Sequence, residues 1–371
     1  MTSRTARITF TLPYGSVVHY IPDRTQWAPE WLLVADERDL LAYRDLITGM
    51  NTVTPTLPST EITVLAQRIN TQVTRIERKP RSTPSSLPQP LTPPDAAEFG
   101  SLTGYLKHTP QAREAIRAAL RHPLPQPQSC DLRCLPLGGN PGLVGTAFDY
   151  ALRAVIQAAN PHLEAVRRPL VARHAVFHLP ASPTLTELDA AEQCLSAVLQ
   201  GHPFDEAQAR AAVILASYEV VARTGAYHHL AGLAPDAVWQ DVLALIQAVP
   251  VTAFHASEQL LLNPTFPASG RFGGADADLI IDDLLIEIKA TQHLRLTATY
   301  LNQLTSYLVL DRLAGTTGSG LPIRRLGVYY ARHGLLQTFA VRELFRPGLL
   351  PQLVTWFDES LPQLPGRLSA P

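Results

Sequence analysis

Apolar and polar residues alternate near the start of the chain, in Arg7-Ile8-Thr9-Phe10-Thr11-Leu12, and this alternation predicts a strand. Short helices are expected over 36–48 and 60–77. From Lys79 to Asp95 the pattern is lost. Prolines at 80, 84, 88, 90, 93 and 94 remove backbone donors and hold φ, so this stretch reads as an extended linker between residues 1–78 and 96–371. Downstream the spacing becomes helical. Residues 110–121 place Pro110 in a first turn after Thr109. After a break at Pro123, Pro125 and Pro127, residues 143–159 repeat Phe148, Leu152, Val155 and Ile156 on one face. Further amphipathic helices are expected over 186–199, 205–224 and 235–249.

The period changes again at 277–290, a dense aliphatic run around Asp282-Asp283 that reads as a β-hairpin. The segment Asn263-Pro264-Thr265-Phe266 before it is expected to end a neighbouring strand. Helical spacing returns over 294–313. A second hairpin follows over 324–342, turning at His333-Gly334, and a last helix over 348–361. No repeat of fixed period occurs. The expected architecture is α/β, a mixed sheet near the C-terminus flanked by helices, with a helical insertion at about 160–255 and a small N-terminal segment.

Composition narrows this picture. A chain of 371 residues, 46% hydrophobic and 17% charged, can bury a proper core as one large domain or two modest ones. A formal net charge of -1 provides no global attraction to nucleic acid, so any such binding must come from a local groove. Only Cys130, Cys134 and Cys194 occur. This odd, sparse set argues against a disulfide scaffold and fits a reducing cytoplasm, where the protein is expected. Cys130 and Cys134 lie four apart, but the chain cannot supply the four thiolates of a cluster. No apolar run approaches the length that spans a bilayer, and no membrane partner is expected. Phosphate-loop and nucleophile-elbow motifs are absent. Tyr227-His228-His229 lacks a spaced third metal ligand.

The hairpin carries the candidate chemistry. If Asp282 and Asp283 form a two-residue turn, Asp278 stands opposite Glu287, and Asp276 opposite Lys289. Side chains alternate along a strand, so these four residues share one face, with Ile280 and Leu285. Directly opposed carboxylates, about 5 Å apart at Cβ, repel each other unless a cation lies between them. A hard cation such as Mg²⁺ takes one or two carboxylates, with waters and phosphate oxygens completing its shell. A neighbouring lysine can orient an attacking water, act as a base, or stabilise charge growing on phosphorus. Of the 31 Lys and Arg residues only Lys79, Lys107 and Lys289 are lysines, which singles out the last.

An aspartate in one strand, Glu-x-Lys in the next and a helix after them resemble the PD-(D/E)XK nuclease superfamily. The resemblance implies a restriction-endonuclease-like fold. It implies Asp278 and Glu287 as ligands of Mg²⁺ or Mn²⁺, with Asp276 the alternative to the first, and Lys289 as the catalytic lysine. The following helix contains Gln303-Leu304-Thr305-Ser306-Tyr307, similar to the Q-x-x-x-Y element of RecB-type nucleases. Gln303 and Tyr307 then border the active site and share a helix face with Tyr300. The stretch Gly145-Thr146-Ala147-Phe148-Asp149-Tyr150 resembles the first-helix motif of these nucleases, whose acidic residue reaches toward the metal. Asp149 fills that role, with Glu219 the alternative. Each has an arginine four residues on, Arg153 and Arg223, with which it can form an ion pair. The Fe–S subgroup is excluded by cysteine count. The implied activity is metal-dependent hydrolysis of phosphodiester bonds in DNA, in repair, restriction or defence against foreign DNA. The alternative is a noncatalytic nucleic-acid-binding or scaffolding protein that retains the fold. Residues 1–78 lie outside the resemblance and form a candidate surface for a protein partner.

Overall fold

The computed structural model describes residues 8–11, 17–22, 27–33, 87–90, 101–167, 170–225, 236–272 and 274–361. The chain divides into two units, Met1–Pro84 and Ser85–Pro371. In the first, β1 (Ile8–Thr11), β2 (Val17–Pro22) and β3 (Trp27–Leu33) form an antiparallel sheet in that order, with a register shift between His19 and Tyr20. The helices expected over 36–48 and 60–77 lie outside the described residues, as does Tyr227-His228-His229.

The second unit opens with α1 (Leu102–His108) and α2 (Pro110–Ala119). The side chain of Ser101 caps the first, and Pro110 starts the second, as its missing N–H allows. In α3 (Pro141–Ala158) Asn140 accepts from the backbone N–H of Gly142 at 2.9 Å and Leu143 at 3.2 Å. Val144, Ala147, Phe148, Ala151 and Leu152 are buried on one face, which leaves Gly145, Asp149 and Arg153 as a stripe along another. A two-residue strand, β4 (Val166–Arg167), and a 3₁₀ helix (Val171–Phe177) lead to α4 (Ala181–Ser196), α5 (Glu206–Thr224) and α6 (Asp236–Gln247). Asp205 and Gln208 close a capping box at the start of α5. Gly225, at φ 67°, ends it in the left-handed conformation that glycine adopts without a Cβ clash.

The main sheet runs β4, β5 (Leu260–Leu262), β6 (Leu279–Ile281), β7 (Leu284–Lys289), β8 (Arg325–Tyr330), β9 (Leu335–Ala340), in that order. It is mixed: β4–β5 and β7–β8 are parallel, and the other neighbours antiparallel. Between β7 and β8 lies α7 (Ala298–Ala314). The short α8 (Val341–Leu344) and α9 (Leu349–Ser360) complete the unit.

Both faces of the sheet are covered. Leu260, Leu262, Leu279, Ile281, Leu284 and Ile286 pack with α3 to α6. Leu261, Ile280, Leu285, Leu326 and Val328 pack on the other side with α1, α2, α7 and α9. Phe148 of α3 stacks on Tyr329 with ring centroids 6.4 Å apart, which anchors that helix to the sheet. Each fully buried Leu or Ile contributes roughly 1.5–3 kcal/mol, so the apolar body of β7 can offset charged side chains at its far end. Among the described residues no helix is long and apolar enough to cross a membrane.

Candidate active site

The hairpin register is the one that an Asp282-Asp283 turn requires. Leu279 faces Ile286, Ile280 faces Leu285 and Ile281 faces Leu284. Asp282 has φ 51°, a left-handed value to which aspartate is better suited than most residues. Its carboxylate accepts from the backbone N–H of Ser257 at 3.0 Å, Glu258 at 2.7 Å and Gln259 at 3.2 Å. Burial opposes its ionisation, yet these three donors hold the carboxyl below the usual range. Asp282 therefore pins the approach to β5. Asp283 caps the other side of the turn through an ion pair with Arg325.

Beyond Leu279 the β6–β7 ladder ends, and Asp278 fills the gap with its side chain. The backbone N–H of Ile288 donates to its Oδ2 at 2.6 Å, while its own carbonyl accepts from Asn263 N–H at 3.1 Å. Asp276 does not face Lys289 as expected. It bridges Thr265, on the β5 side, because β6 follows β5 past the point where it leaves β7. Lys289 instead pairs with Tyr330 of β8.

Glu287 is only 3% exposed. Its Oε1 accepts from Lys289 Nζ at 2.7 Å, and its Oε2 is buried with no hydrogen-bond partner among the described residues. Lys289 Nζ also donates to Gln303 Oε1 at 3.3 Å and lies 4.8 Å from the centre of the Tyr300 ring. Gln303 Nε2 donates to the Tyr307 hydroxyl at 2.9 Å, and Tyr307 stacks on Phe266 at 5.5 Å. The Gln303/Tyr307 face of α7 thus holds the lysine head from one side while Glu287 holds it from the other.

The electrostatics follow from this crowding. Burial, then the neighbouring Asp278 carboxylate, push the Glu287 carboxyl up to about 8 against the pull of Lys289. Asp278 is raised as well, by burial, although Lys289 and the Ile288 N–H act the other way. Burial disfavours the Lys289 charge, but Glu287 and Asp278 more than compensate, so its pKa lies above the ordinary lysine value. Beside these two carboxylates Lys289 is held as an ammonium donor. Burial and the two carboxylates likewise keep the Tyr307 hydroxyl protonated.

Asp278 and Glu287 line a cleft of about 270 Å³ that also gathers Asp149, Arg153, Glu219, Arg223 and Asp276. All five candidate acids therefore reach one cavity. They do not converge into one ligand set: among the described residues no three or more His, Cys, Asp or Glu side chains form a group that could hold a metal ion. The reason is local pairing. Asp149 is engaged by Arg153, whose Nε donates to Oδ1 at 3.0 Å. Glu219 receives Arg223 Nε at 2.8 Å and the Tyr150 hydroxyl at 2.5 Å. Two carboxylates suffice for Mg²⁺, however, and the unpartnered Glu287 Oε2 beside Asp278 is the kind of oxygen such an ion takes. The residues present fit a divalent cation held by Asp278 and Glu287.

Sequence reasoning missed Tyr150, which fixes Glu219, and the ion pair behind the lysine strand. Arg332 meets both Asp241 carboxylate oxygens at 2.8 Å and donates to the Ala290 carbonyl at 3.1 Å, next to Lys289. Tyr150 stands beside Asp149 and could have been proposed from that adjacency. Arg332 and Asp241 are 91 residues apart and carry no local signal. Compared with family models, curated proteins and solved structures, the chain matches none.

Proposed function

We propose that this protein is a metal-dependent nuclease of the PD-(D/E)XK type that hydrolyses phosphodiester bonds in DNA with Mg²⁺ or Mn²⁺. The observation that carries the reading is the pair of carboxylates Asp278 and Glu287 lining one cleft, with the Lys289 ammonium on Glu287 Oε1. Two carboxylates buried together are costly to keep ionised, a cost that a bound cation would offset. Mixed sheet and flanking helices agree with the restriction-endonuclease-like architecture that the sequence resemblance implies.

Asp278 and Glu287 offer oxygens to the cation. Once bound, such an ion polarises a phosphate and lowers the pKa of its water. Lys289, held as an ammonium by Glu287 and Gln303, donates to the attacking water or to a phosphate oxygen. Arg153 and Arg223 bring guanidinium groups to the same cleft, where a phosphate can exchange for Asp149 or Glu219 as their partner. Asp149, Glu219, Asp276, Asp278 and Glu287 outnumber these two guanidinium groups in the cleft, so the grip on a phosphate depends on a bound cation as well.

The test offers linear and circular, single- and double-stranded DNA, and RNA, with Mg²⁺ or Mn²⁺. Wild type is expected to cut DNA, and Asp278→Ala and Lys289→Ala to lose that activity by at least a hundredfold. Equal degradation of every substrate by wild type and Lys289→Ala would sink the assignment. Metal-dependent stabilisation without turnover on any substrate would favour the noncatalytic alternative.

A further inference from the structure

A second cavity, of about 350 Å³, adjoins the carboxylate cleft and shares Tyr150, Arg153 and Asn263 with it. Its chemistry differs from that of the cleft. Leu195 of α4, Leu215 of α5, Leu262 of β5 and Leu170 before the 3₁₀ helix line it. Gln157, Gln193 and Asn263 add side-chain amides, none of which is spent in a hydrogen bond among the described residues. Glu192 also lines the cavity, but Arg173 Nε sits 2.7 Å from its carboxylate and neutralises it.

Apolar walls with a few free amide groups suit a flat, neutral ligand whose faces are apolar and whose edge carries donors and acceptors. Side-chain amides pair with the edges of nucleobases in this way. The shared wall adds a constraint. A nucleotide whose phosphate lies against Arg153 in the cleft has its base one sugar away, and the cavity that shares Arg153 with the cleft lies within that reach. A base in a duplex is stacked on both faces and paired along its edge, so it can enter a side cavity of about 350 Å³ only after leaving the stack.

We propose that this cavity binds one unpaired nucleobase next to the phosphate under attack, which makes single-stranded or locally unpaired DNA the substrate class. This inference rests on the nuclease reading above and narrows it. Ser196, half-buried at the cavity wall on the last turn of α4, offers a position from which a larger side chain fills the space. Gln157 offers one from which the edge contacts can be removed.

The experiment measures binding of the full chain in EDTA, by fluorescence anisotropy, to three labelled oligodeoxynucleotides. These are a single strand, its blunt duplex, and the same single strand with abasic sites in place of its central bases. The single strand is expected to bind at least tenfold more tightly than either of the others, a size typical of one well-held base. Ser196→Phe and Gln157→Leu are expected to bring the intact strand down to the abasic level while leaving abasic binding unchanged. The wild-type comparison of intact and abasic strands does not depend on either variant folding. Equal affinity for those two strands, or an undiminished preference in both folded variants, overturns the pocket. If duplex DNA is cut with Mg²⁺ while abasic substitution has no effect, the pocket fails and the nuclease stands. Failure to bind any strand, together with no turnover in Mg²⁺ or Mn²⁺, overturns both.

Discussion

Glu287→Gln tests whether the buried carboxylate pair destabilises the fold in the absence of a cation. An unfolded glutamate ionises near 4.5, whereas the folded Glu287 is pushed up to about 8 by burial and by Asp278. Between those values the folded protein keeps a proton that the unfolded chain has released. The contribution of Glu287 to stability is therefore fullest below about 4.5, falls as pH rises, and levels off once pH has passed about 8. At about 1.4 kcal/mol for each pKa unit, the whole rise corresponds to roughly 5 kcal/mol. Water entering the cleft beside the half-buried Asp278 solvates part of this charge, so the expected loss is on the order of 2–3 kcal/mol. Glutamine keeps the shape of the side chain and can still accept from Lys289, but it has no charge to bury. Urea unfolding in EDTA from pH 5 to 9 should show wild type losing that amount relative to Glu287→Gln. Mg²⁺ at pH 8 should restore wild type and leave the variant unmoved, by about 2.7 kcal/mol at a hundredfold excess over Kd. A difference between the two proteins that is flat across pH 5–9, or that widens toward acid, would refute the reasoning.

The other expectations probe separate parts of the site. Lys289→Ala should keep the Mg²⁺-induced stabilisation seen by thermal unfolding while abolishing DNA cleavage, because Lys289 donates hydrogen bonds but supplies no oxygen to the ion. Asp278→Ala should lose that stabilisation and a further 1–3 kcal/mol or so, since Ile288 N–H loses its acceptor in a half-buried site. Asp282→Ala should cost about 2 kcal/mol in urea unfolding at neutral pH, from three backbone donors left without their carboxylate. The Asp282 carboxyl is held low, so its contribution is present above the unfolded pKa and disappears as pH falls through the folded one; the variant should be less sensitive to acid. Arg332→Met should destabilise by about 3–5 kcal/mol through the buried, unpaired Asp241, whereas exchanging both partners for apolar residues should recover much of that loss.

Much of the local structure was legible along the chain. A two-residue turn at Asp282-Asp283 set the register that places Asp278 and Glu287 at the same end of the β6–β7 hairpin, because the turn fixes which residues face each other across it. Apolar spacing marked α3 and α5, where expected and observed ends agree to within two residues. The Gln303/Tyr307 spacing anticipated a helix face that meets Lys289. Less legible were β4, whose two residues join the sheet only through a parallel neighbour, and α1, which is too short for its period to register.

What the sequence determined by itself was periodic and local, because hydrogen bonding and side-chain alternation act over a few residues. Tertiary structure decided which charges meet. Nothing local makes β6 stay with β5 and part from β7, yet that fork sends Asp276 toward Thr265 and turns the Asp278 carboxylate into the acceptor for Ile288. Nor does spacing bring Asp149 and Glu219, from two different helices, into one cleft or tie each to its own arginine. The packing of α3 and α5 over one face of the sheet does that. Burial at that junction shifts the ionisation of Glu287, an effect that exists only where apolar surface from several elements closes around a single carboxylate.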